Sequence, residues 1–163
     1  MSRTITARPL TREAFAPFGS VIEKKDSEVR HINNGMCIRH HDLAPVDAAE
    51  GGRPAISIFA GKPYDMPLRL TMVERHPLGS QAFMPLHNRP FLVVVCPDEA
   101  GKPGTPSAFV TQSGQGVSFP AGLWHGVLTP LDEPGDFLVV DRVGPGENLE
   151  EFAFDEPWLV KLP

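Results

Sequence analysis

The chain of 163 residues has the length of one domain, and such a chain can bury roughly two thirds of its unfolded surface in a single core. Its 15 glycines and 18 prolines favour short elements joined by tight turns, which is typical of β-structure. The net charge is -5 and the basic residues are scattered, which argues against nucleic acid or an anionic membrane surface as a partner.

A short helix is predicted near the start of the chain. Thr11 is a suitable N-cap residue, and Leu10 and Phe15 occupy the positions of a hydrophobic staple. Pro17 and Gly19 then end the helix. Because the segment is short, we expect it to pack against the domain and to carry no chemistry.

Runs of strand length begin at residue 55, each bounded by Gly, Pro, Asn or Asp. Their spacing predicts an all-β fold with minor α content, in the form of an antiparallel barrel or sandwich. No repeat or linker divides the sequence, so residues 1–163 are expected to form a single domain. The predicted strands are Ala55–Ala60, Leu68–His76, Gln81–Leu86, Phe91–Cys96, Ala108–Gln112, Gly116–Phe119, Trp124–Leu128 and Phe137–Arg142.

The apolar run Phe91–Cys96 is the longest in the chain and is far shorter than the ~20 residues of a membrane-spanning helix. The polar start of the chain is unlike a signal peptide. Cys37 and Cys96 are far apart and form no CxxC motif, so reduced structural thiols are favoured over a disulfide or a nucleophile. These features predict a cytoplasmic protein.

The segment that begins at Glu147 mixes acidic residues with large apolar ones, among them Phe152, Phe154 and Trp158. Such a composition is expected to lie on an apolar surface. That surface is either the protein's own barrel or a second subunit, and the second alternative predicts a homodimer.

The predicted strand Leu68–His76 carries the first candidate site residues. Side chains alternate across a strand, so Leu68, Leu70, Met72, Glu74 and His76 are expected to share one face. That face is apolar at first and becomes polar at its end, as expected for a strand that lines a barrel with a packed floor and a functional mouth. Alternatively, Glu74 and His76 are only the exposed end of the strand.

A second signal is the pattern Gly114-x5-Pro120-x-Gly122-x2-His125. Pro-x-Gly makes a tight turn between two strands, and His125 follows on the second strand. The spacing resembles the second motif of the cupin family, and Glu74-x-His76-x4-Gln81 resembles a substituted form of the first motif. The resemblance implies a cupin-like double-stranded antiparallel β-barrel, or jelly roll.

On this interpretation Glu74, His76, Gln81 and His125 converge inside one barrel. Two imidazoles and a carboxylate are a donor set for a divalent transition metal, and Gln81 would be a weaker fourth ligand. The alternative for His125 is a buried histidine whose ring only bonds to a backbone carbonyl. Both interpretations stay open from the residues alone.

Several further segments are distributed along most of the chain: His31-Ile32-Asn33-Asn34-Gly35, His41-Asp42-Leu43-Ala44, the stretch from Glu74 to Phe83, Trp124-His125 and Asp141-Arg142. In this order they resemble the ureidoglycolate lyases of allantoin degradation. The resemblance implies a cupin-like homodimer that acts on ureidoglycolate in purine catabolism, in some members with a divalent ion such as nickel.

Ureidoglycolate is a carbinolamide, and its cleavage to glyoxylate and urea needs a base for the hydroxyl proton and an acid for the leaving nitrogen. Glu74 or His125 is the candidate base and His76 the candidate acid. Arg142 is the first candidate for binding the substrate carboxylate because a guanidinium matches it geometrically, although Arg142 could instead form a structural ion pair. Asn33 and Gln81 are candidates for further hydrogen bonds to the substrate.

Two other functions fit the same residues. An amidohydrolase acting on the ureido carbonyl would release ammonia where a lyase releases urea. A non-catalytic cupin could bind a small acid as a sensor, although the sequence offers no helix-turn-helix with which to pass on a signal.

Overall fold

The computed structural model describes residues 3–163, which form β-strands connected by turns and a single α-helix of four residues. Within this range no helix has the length and apolarity needed to cross a bilayer. The elements are β1 (Arg3–Thr6), β2 (Arg8–Pro9), α1 (Arg12–Phe15), β3 (Ser20–Ile22), β4 (Glu28–Ile32), β5 (Cys37–His41), β6 (Arg53–Gly61), β7 (Leu68–Arg75), β8 (Gln81–Pro85), β9 (Phe91–Cys96), β10 (Asp98–Glu99), β11 (Lys102–Pro103), β12 (Ser107–Val110), β13 (Gly116–Phe119), β14 (Trp124–His125), β15 (Thr129–Pro130), β16 (Gly135–Val143) and β17 (Glu150–Lys161).

Two sheets form the barrel. The larger has the strand order β1-β17-β7-β14-β9-β12-β2, with β15 also paired to β9, and the smaller has the order β3-β13-β8-β16-β6. Neighbouring strands are antiparallel except for two parallel pairs, β1 with β17 and β2 with β12. The predicted all-β class and the cupin-like barrel are therefore confirmed.

Strand β9 is buried on both faces, and its sequence is therefore continuously apolar. The strand separates the core into two parts. Phe91, Val93 and Val95 pack into one cluster between the two sheets, together with Phe83 of β8 and Phe137 of β16. The alternate residues of β9 pack into a second cluster against β7 and β17. The first cluster forms the floor beneath the candidate site.

Helix α1 begins as predicted. The Thr11 hydroxyl accepts a hydrogen bond from the backbone N–H of Ala14 at 3.1 Å. Leu10 and Phe15 are both fully buried in the cluster between the sheets, where the Phe15 ring packs edge-on against Phe109. The helix therefore serves packing.

Strand β7 does not keep the regular alternation that the sequence predicts. Leu68 and Leu70 pack with Val73 in the second cluster, whereas Glu74 lines a cavity on the other side. The change of face lies opposite a register shift in β17 between Ala153 and Trp158. The prediction that the two leucines share a face with Glu74 is therefore wrong, because the regular alternation along β7 breaks where its pairing with β17 is irregular.

The C-terminal segment is a full strand of this chain's own barrel. Strand β17 pairs antiparallel with β7 and parallel with β1, and Phe152, Phe154 and Trp158 pack against the second cluster. Of the two surfaces that the sequence left open for this segment, the chain's own sheet is the one observed.

A hairpin that the sequence analysis did not predict projects from the barrel. Strands β4 and β5 pair only with each other among the strands of residues 3–163, and a single turn over Asn33–Gly35 connects them. The hairpin leaves four apolar side chains exposed: Val29, Ile32, Met36 and Ile38. Isolated two-stranded hairpins are marginal in water, which makes this one a candidate contact surface.

Candidate active site

Glu74 and His125 face each other across neighbouring strands. They are partners in the antiparallel register of β7 and β14, and His76 follows directly after the end of β7. One ligand atom from each of the three side chains lies within 4.8 Å of the others. The Nε2 atom of His76 is 3.8 Å from a carboxylate oxygen of Glu74. The convergence predicted for these three residues is therefore observed.

Both imidazoles are oriented by backbone carbonyls. The Nδ1 atom of His76 lies 2.8 Å from the carbonyl oxygen of Asn148, and that of His125 lies 2.9 Å from the carbonyl oxygen of Gly126. Because a carbonyl can only accept, Nδ1 carries the proton in each ring. A neutral ring held in this way has a free lone pair on Nε2, and both Nε2 atoms are buried without a hydrogen-bond partner in residues 3–163.

His125 is kept neutral by its surroundings. The side chain is 2% exposed, and its ring stacks on Phe119 with 4.6 Å between centroids. Burial lowers the pKa of His125 to about 4, because the charged imidazolium would lose its hydration. At neutral pH this ring therefore presents an uncharged nitrogen that can accept a proton or bind a metal ion.

Glu74 is shifted in the opposite direction. Burial raises the pKa of this carboxyl group, the proximity of His76 lowers it, and the negative charge of Glu151 raises it again. The net shift is upward. A carboxyl group with a raised pKa is better matched to proton transfer near neutrality than an ordinary surface glutamate.

Gln81 belongs to the same site. Its side-chain nitrogen donates a hydrogen bond of 3.2 Å to the carboxylate of Asp141 on the adjacent strand β16. This bond distinguishes the nitrogen of the amide from its oxygen. The amide oxygen is buried and has no partner within the described range. Gln81 thus offers an acceptor oxygen, and it lines the same cavity as Glu74.

The donor set suits a divalent transition metal. Two imidazole nitrogens and an amide oxygen lack hydrogen-bond partners among the described residues, and the Glu74 carboxylate lies beside the imidazoles. The Nδ1–H bonds to backbone carbonyls are typical outer-shell support for histidine ligands. The residues that could hold such an ion are Glu74, His76, Gln81 and His125, as the sequence predicts.

An open cavity of about 490 Å³ gives access to Glu74 and Gln81. Its walls are formed by the end of β6, the loop that follows β6, and the segment after His125. The other lining residues are Phe59, Ala60, Gly61, Lys62, Pro63, Tyr64, Phe83, Val127 and Leu128. The volume suits a small substrate of a few non-hydrogen atoms.

Arg142, the first sequence candidate for binding the substrate carboxylate, lies outside this cavity. Its neighbour Asp141 contacts Gln81, and successive strand residues face opposite sides, so Arg142 points away from the site. The guanidinium donates to the backbone carbonyls of Ala49, Glu50 and Pro145. It is 6% exposed and holds two loops together, so its placement favours neither substrate binding nor the alternative ion pair.

Asn33, also predicted to bind substrate, lies at the exposed tip of the β4–β5 hairpin. Asn33 and Asn34 both have positive φ angles of about 55°, which asparagine tolerates better than most residues. The structure does not bring Asn33 to the cavity of its own chain.

Two residues at the site were not among the sequence candidates. The backbone of Asn148 holds His76, while its side chain accepts a hydrogen bond from the N–H of Leu78. Lys62 lines the cavity itself. The sequence analysis did not identify either residue, because each lies in an irregular segment whose course cannot be inferred from a periodic pattern.

The two thiols are free. Cys96 is fully buried, and burial raises the pKa of its thiol to about 12, which keeps it protonated and unreactive. Cys37 is exposed on the hairpin. Neither thiol is joined to the other, and Cys37 has no place in the core.

Comparison with known proteins identifies the family. The model of the family described as ureidoglycolate lyase matches residues 2–161. A ureidoglycolate lyase of Chelativorans sp. (strain BNC1) is 60% identical over 162 residues, covering 99% of this chain and 98% of that protein. Ureidoglycolate lyases of Mesorhizobium japonicum and Agrobacterium fabrum are 59% and 52% identical, covering 98% and 100% of this chain and 98% and 99% of theirs. The chain therefore belongs to the ureidoglycolate lyase family.

Proposed function

We propose that this protein is an enzyme of allantoin and purine degradation that eliminates urea from ureidoglycolate and leaves glyoxylate. Family membership supports the substrate, and one observation supports the chemistry: Glu74, which lines a cavity sized for a small molecule, converges with His76 and His125 within 4.8 Å. A carbinolamide elimination needs proton transfer groups and no nucleophile.

The reaction moves one proton from oxygen to nitrogen. A base takes the hydroxyl proton of the substrate, the oxygen lone pair forms the aldehyde of glyoxylate, and the C–N bond breaks towards nitrogen. An acid then protonates that nitrogen to give urea. His125 offers a neutral Nε2 as base and Glu74 a carboxylate in the same role. His76 stands beside both as the acid, a role that needs a second proton on its Nε2.

We propose that a divalent ion, with nickel suggested by the family resemblance, is held by Glu74, His76, Gln81 and His125. Such an ion would supply Lewis acidity that lowers the pKa of the substrate hydroxyl. The unpartnered Nε2 atoms of the two histidines and the unpartnered amide oxygen of Gln81 support the proposal. In either case the Nδ1–H bonds keep both rings turned with Nε2 towards Glu74.

A product assay tests the proposed function. Purified protein supplied with ureidoglycolate is expected to release urea and glyoxylate in equal amounts and no ammonia, at a rate well above spontaneous decay. Treatment with a chelator is expected to lower the rate, and readdition of nickel to restore it. If ammonia is the nitrogen product, the protein is an amidohydrolase and the lyase proposal is wrong. If neither urea nor ammonia is released, only the non-catalytic alternative is left.

We also infer a homodimer. The β4–β5 hairpin exposes Met36 and Ile38, and β6, the edge strand of the smaller sheet, exposes Ile56 and Ile58, which are 72% and 63% accessible. A second copy of the chain would cover both surfaces, and Asn33 at the hairpin tip could then reach the substrate cavity of that second copy.

The net negative charge of the protein again disfavours nucleic acid as a partner, and its free thiols favour the cytoplasm as its location.

Light scattering tests the dimer. The double change Ile56→Glu and Ile58→Glu places two charges on the apolar face and is expected to convert the wild-type dimer to monomers, because buried unpaired charges are strongly disfavoured. Leu162→Glu, a similar change elsewhere on the surface, is the control. A wild-type protein that is monomeric, or a double variant with unchanged mass, would contradict the inference.

A further inference from the structure

The cavity contains a cationic group with no role in the chemistry described above. Lys62 lies just after β6, and it is the only lysine or arginine among the cavity's lining residues. In the described part of the chain, residues 3–163, its ammonium makes no ion pair or hydrogen bond. A cation that lines a substrate cavity without a protein partner is available to a ligand.

The other cations near the site are already engaged. Arg75, which lies between Glu74 and His76 in sequence, pairs with Asp98 at 2.8 Å and with Glu150, and it stacks on Trp124. Arg142 is held by three backbone carbonyls on the opposite face of β16. Neither side chain can reach the cavity without breaking these contacts.

The charge balance of the cavity points the same way. Glu74 is the only acidic residue among the cavity's lining residues, and it sits at the end where the two histidines converge. In the site without a bound metal ion, an anionic substrate that approached the Glu74 carboxylate without another compensating cation would meet repulsion in partly desolvated surroundings. A carboxylate paired with Lys62 removes that cost and turns the rest of the substrate towards the histidines.

We propose that Lys62 binds the carboxylate of the substrate and thereby selects 2-hydroxy acids over neutral carbinolamides. The inference rests on the proposed function only for the identity of the acid. The flexible four-carbon stem of lysine suits a carboxylate that arrives from solvent, because the ammonium can follow it into the cavity.

The test compares an acid with its neutral counterpart. N-(hydroxymethyl)urea is a carbinolamide like ureidoglycolate but has no carboxylate. Lys62→Met is expected to lower kcat/KM for ureidoglycolate about 10- to 100-fold, mainly through KM, as for the loss of one charge-assisted hydrogen bond. Turnover of N-(hydroxymethyl)urea is expected to stay unchanged, and Lys62→Arg to restore most of the discrimination. Lys102→Met, which removes an exposed lysine in β11, is the control.

An equal loss on both compounds, or no loss on either, would overturn the proposal. Binding of glyoxylate, measured by calorimetry on the same variants, separates this inference from the proposed function. If the wild type releases urea from neither compound, the lyase proposal fails. Weaker glyoxylate binding in Lys62→Met than in Lys102→Met would still support the carboxylate site, and equal affinities would refute it.

Discussion

Replacing His125 with glutamine is expected to lower turnover of ureidoglycolate about 100-fold or more, the usual effect of removing a proton transfer group. The imidazole is buried and neutral and offers its only free nitrogen to the site, and the other imidazole there, that of His76, is assigned the role of acid. Glutamine retains polarity and much of the volume, so the barrel is expected to stay folded.

The same variant tests the metal proposal by a measurement that does not depend on activity. Elemental analysis is expected to find about one divalent ion per wild-type chain and much less in His125→Gln, because one strong imidazole ligand is lost. His40→Gln, which alters a histidine bonded to Ser27 outside the site, is the control for both measurements. Near-normal turnover in a folded His125→Gln protein would remove this residue from the mechanism.

Glu74→Gln is expected to have a comparable effect on turnover, again about 100-fold, because the amide can neither accept the substrate proton nor bind a divalent ion strongly. The same substitution is expected to lower turnover but to leave the stability of the folded protein unchanged or to raise it. Burial is the main cause of the raised pKa, so the folded protein binds this proton more tightly than the unfolded chain does. The contribution of Glu74 to stability is therefore present at low pH and is lost as the pH rises from the unfolded value through the folded one.

At neutral pH the metal-free Glu74→Gln protein should consequently unfold at the same temperature as the metal-free wild type or at a higher one. Thermal unfolding followed by circular dichroism measures this difference. A glutamate whose presence lowers the stability of the folded protein is typical of a functional site. A variant that is clearly less stable, or that retains wild-type turnover, would instead indicate a structural glutamate.

The sequence predicted the barrel because its strands carry strong local signals. Strand β9 is apolar on both faces, and β8, β13 and β16 are bounded by turn residues, so their positions matched the predictions closely. The β4–β5 hairpin and the long β17 were missed. The hairpin buries no face of its own, and the apolar pattern of β17 is interrupted by the residues at its register shift.

The site was predictable where spacing fixes geometry. Glu74 and His125 were found because a strand end and a Pro-x-Gly turn place both residues at one rim of a barrel. The carboxylate partner was not predictable in this way. Arg142 matched a family segment and had the right chemistry, but one residue of strand alternation turns it away from the cavity, and Lys62 lies in a loop without periodicity.

The hydrogen bond between His76 and the backbone of Asn148 makes the orientation of this imidazole depend on a segment that is synthesised later than the rest of the site. Asn148 lies two residues before β17, and its position depends on how that strand docks against β7. During synthesis the N-terminal portions emerge first, so most of the barrel can collapse while this imidazole still rotates freely. A chain in which β17 has not yet docked on β7 would thus carry every acid and base of the site without the carbonyl that orients His76.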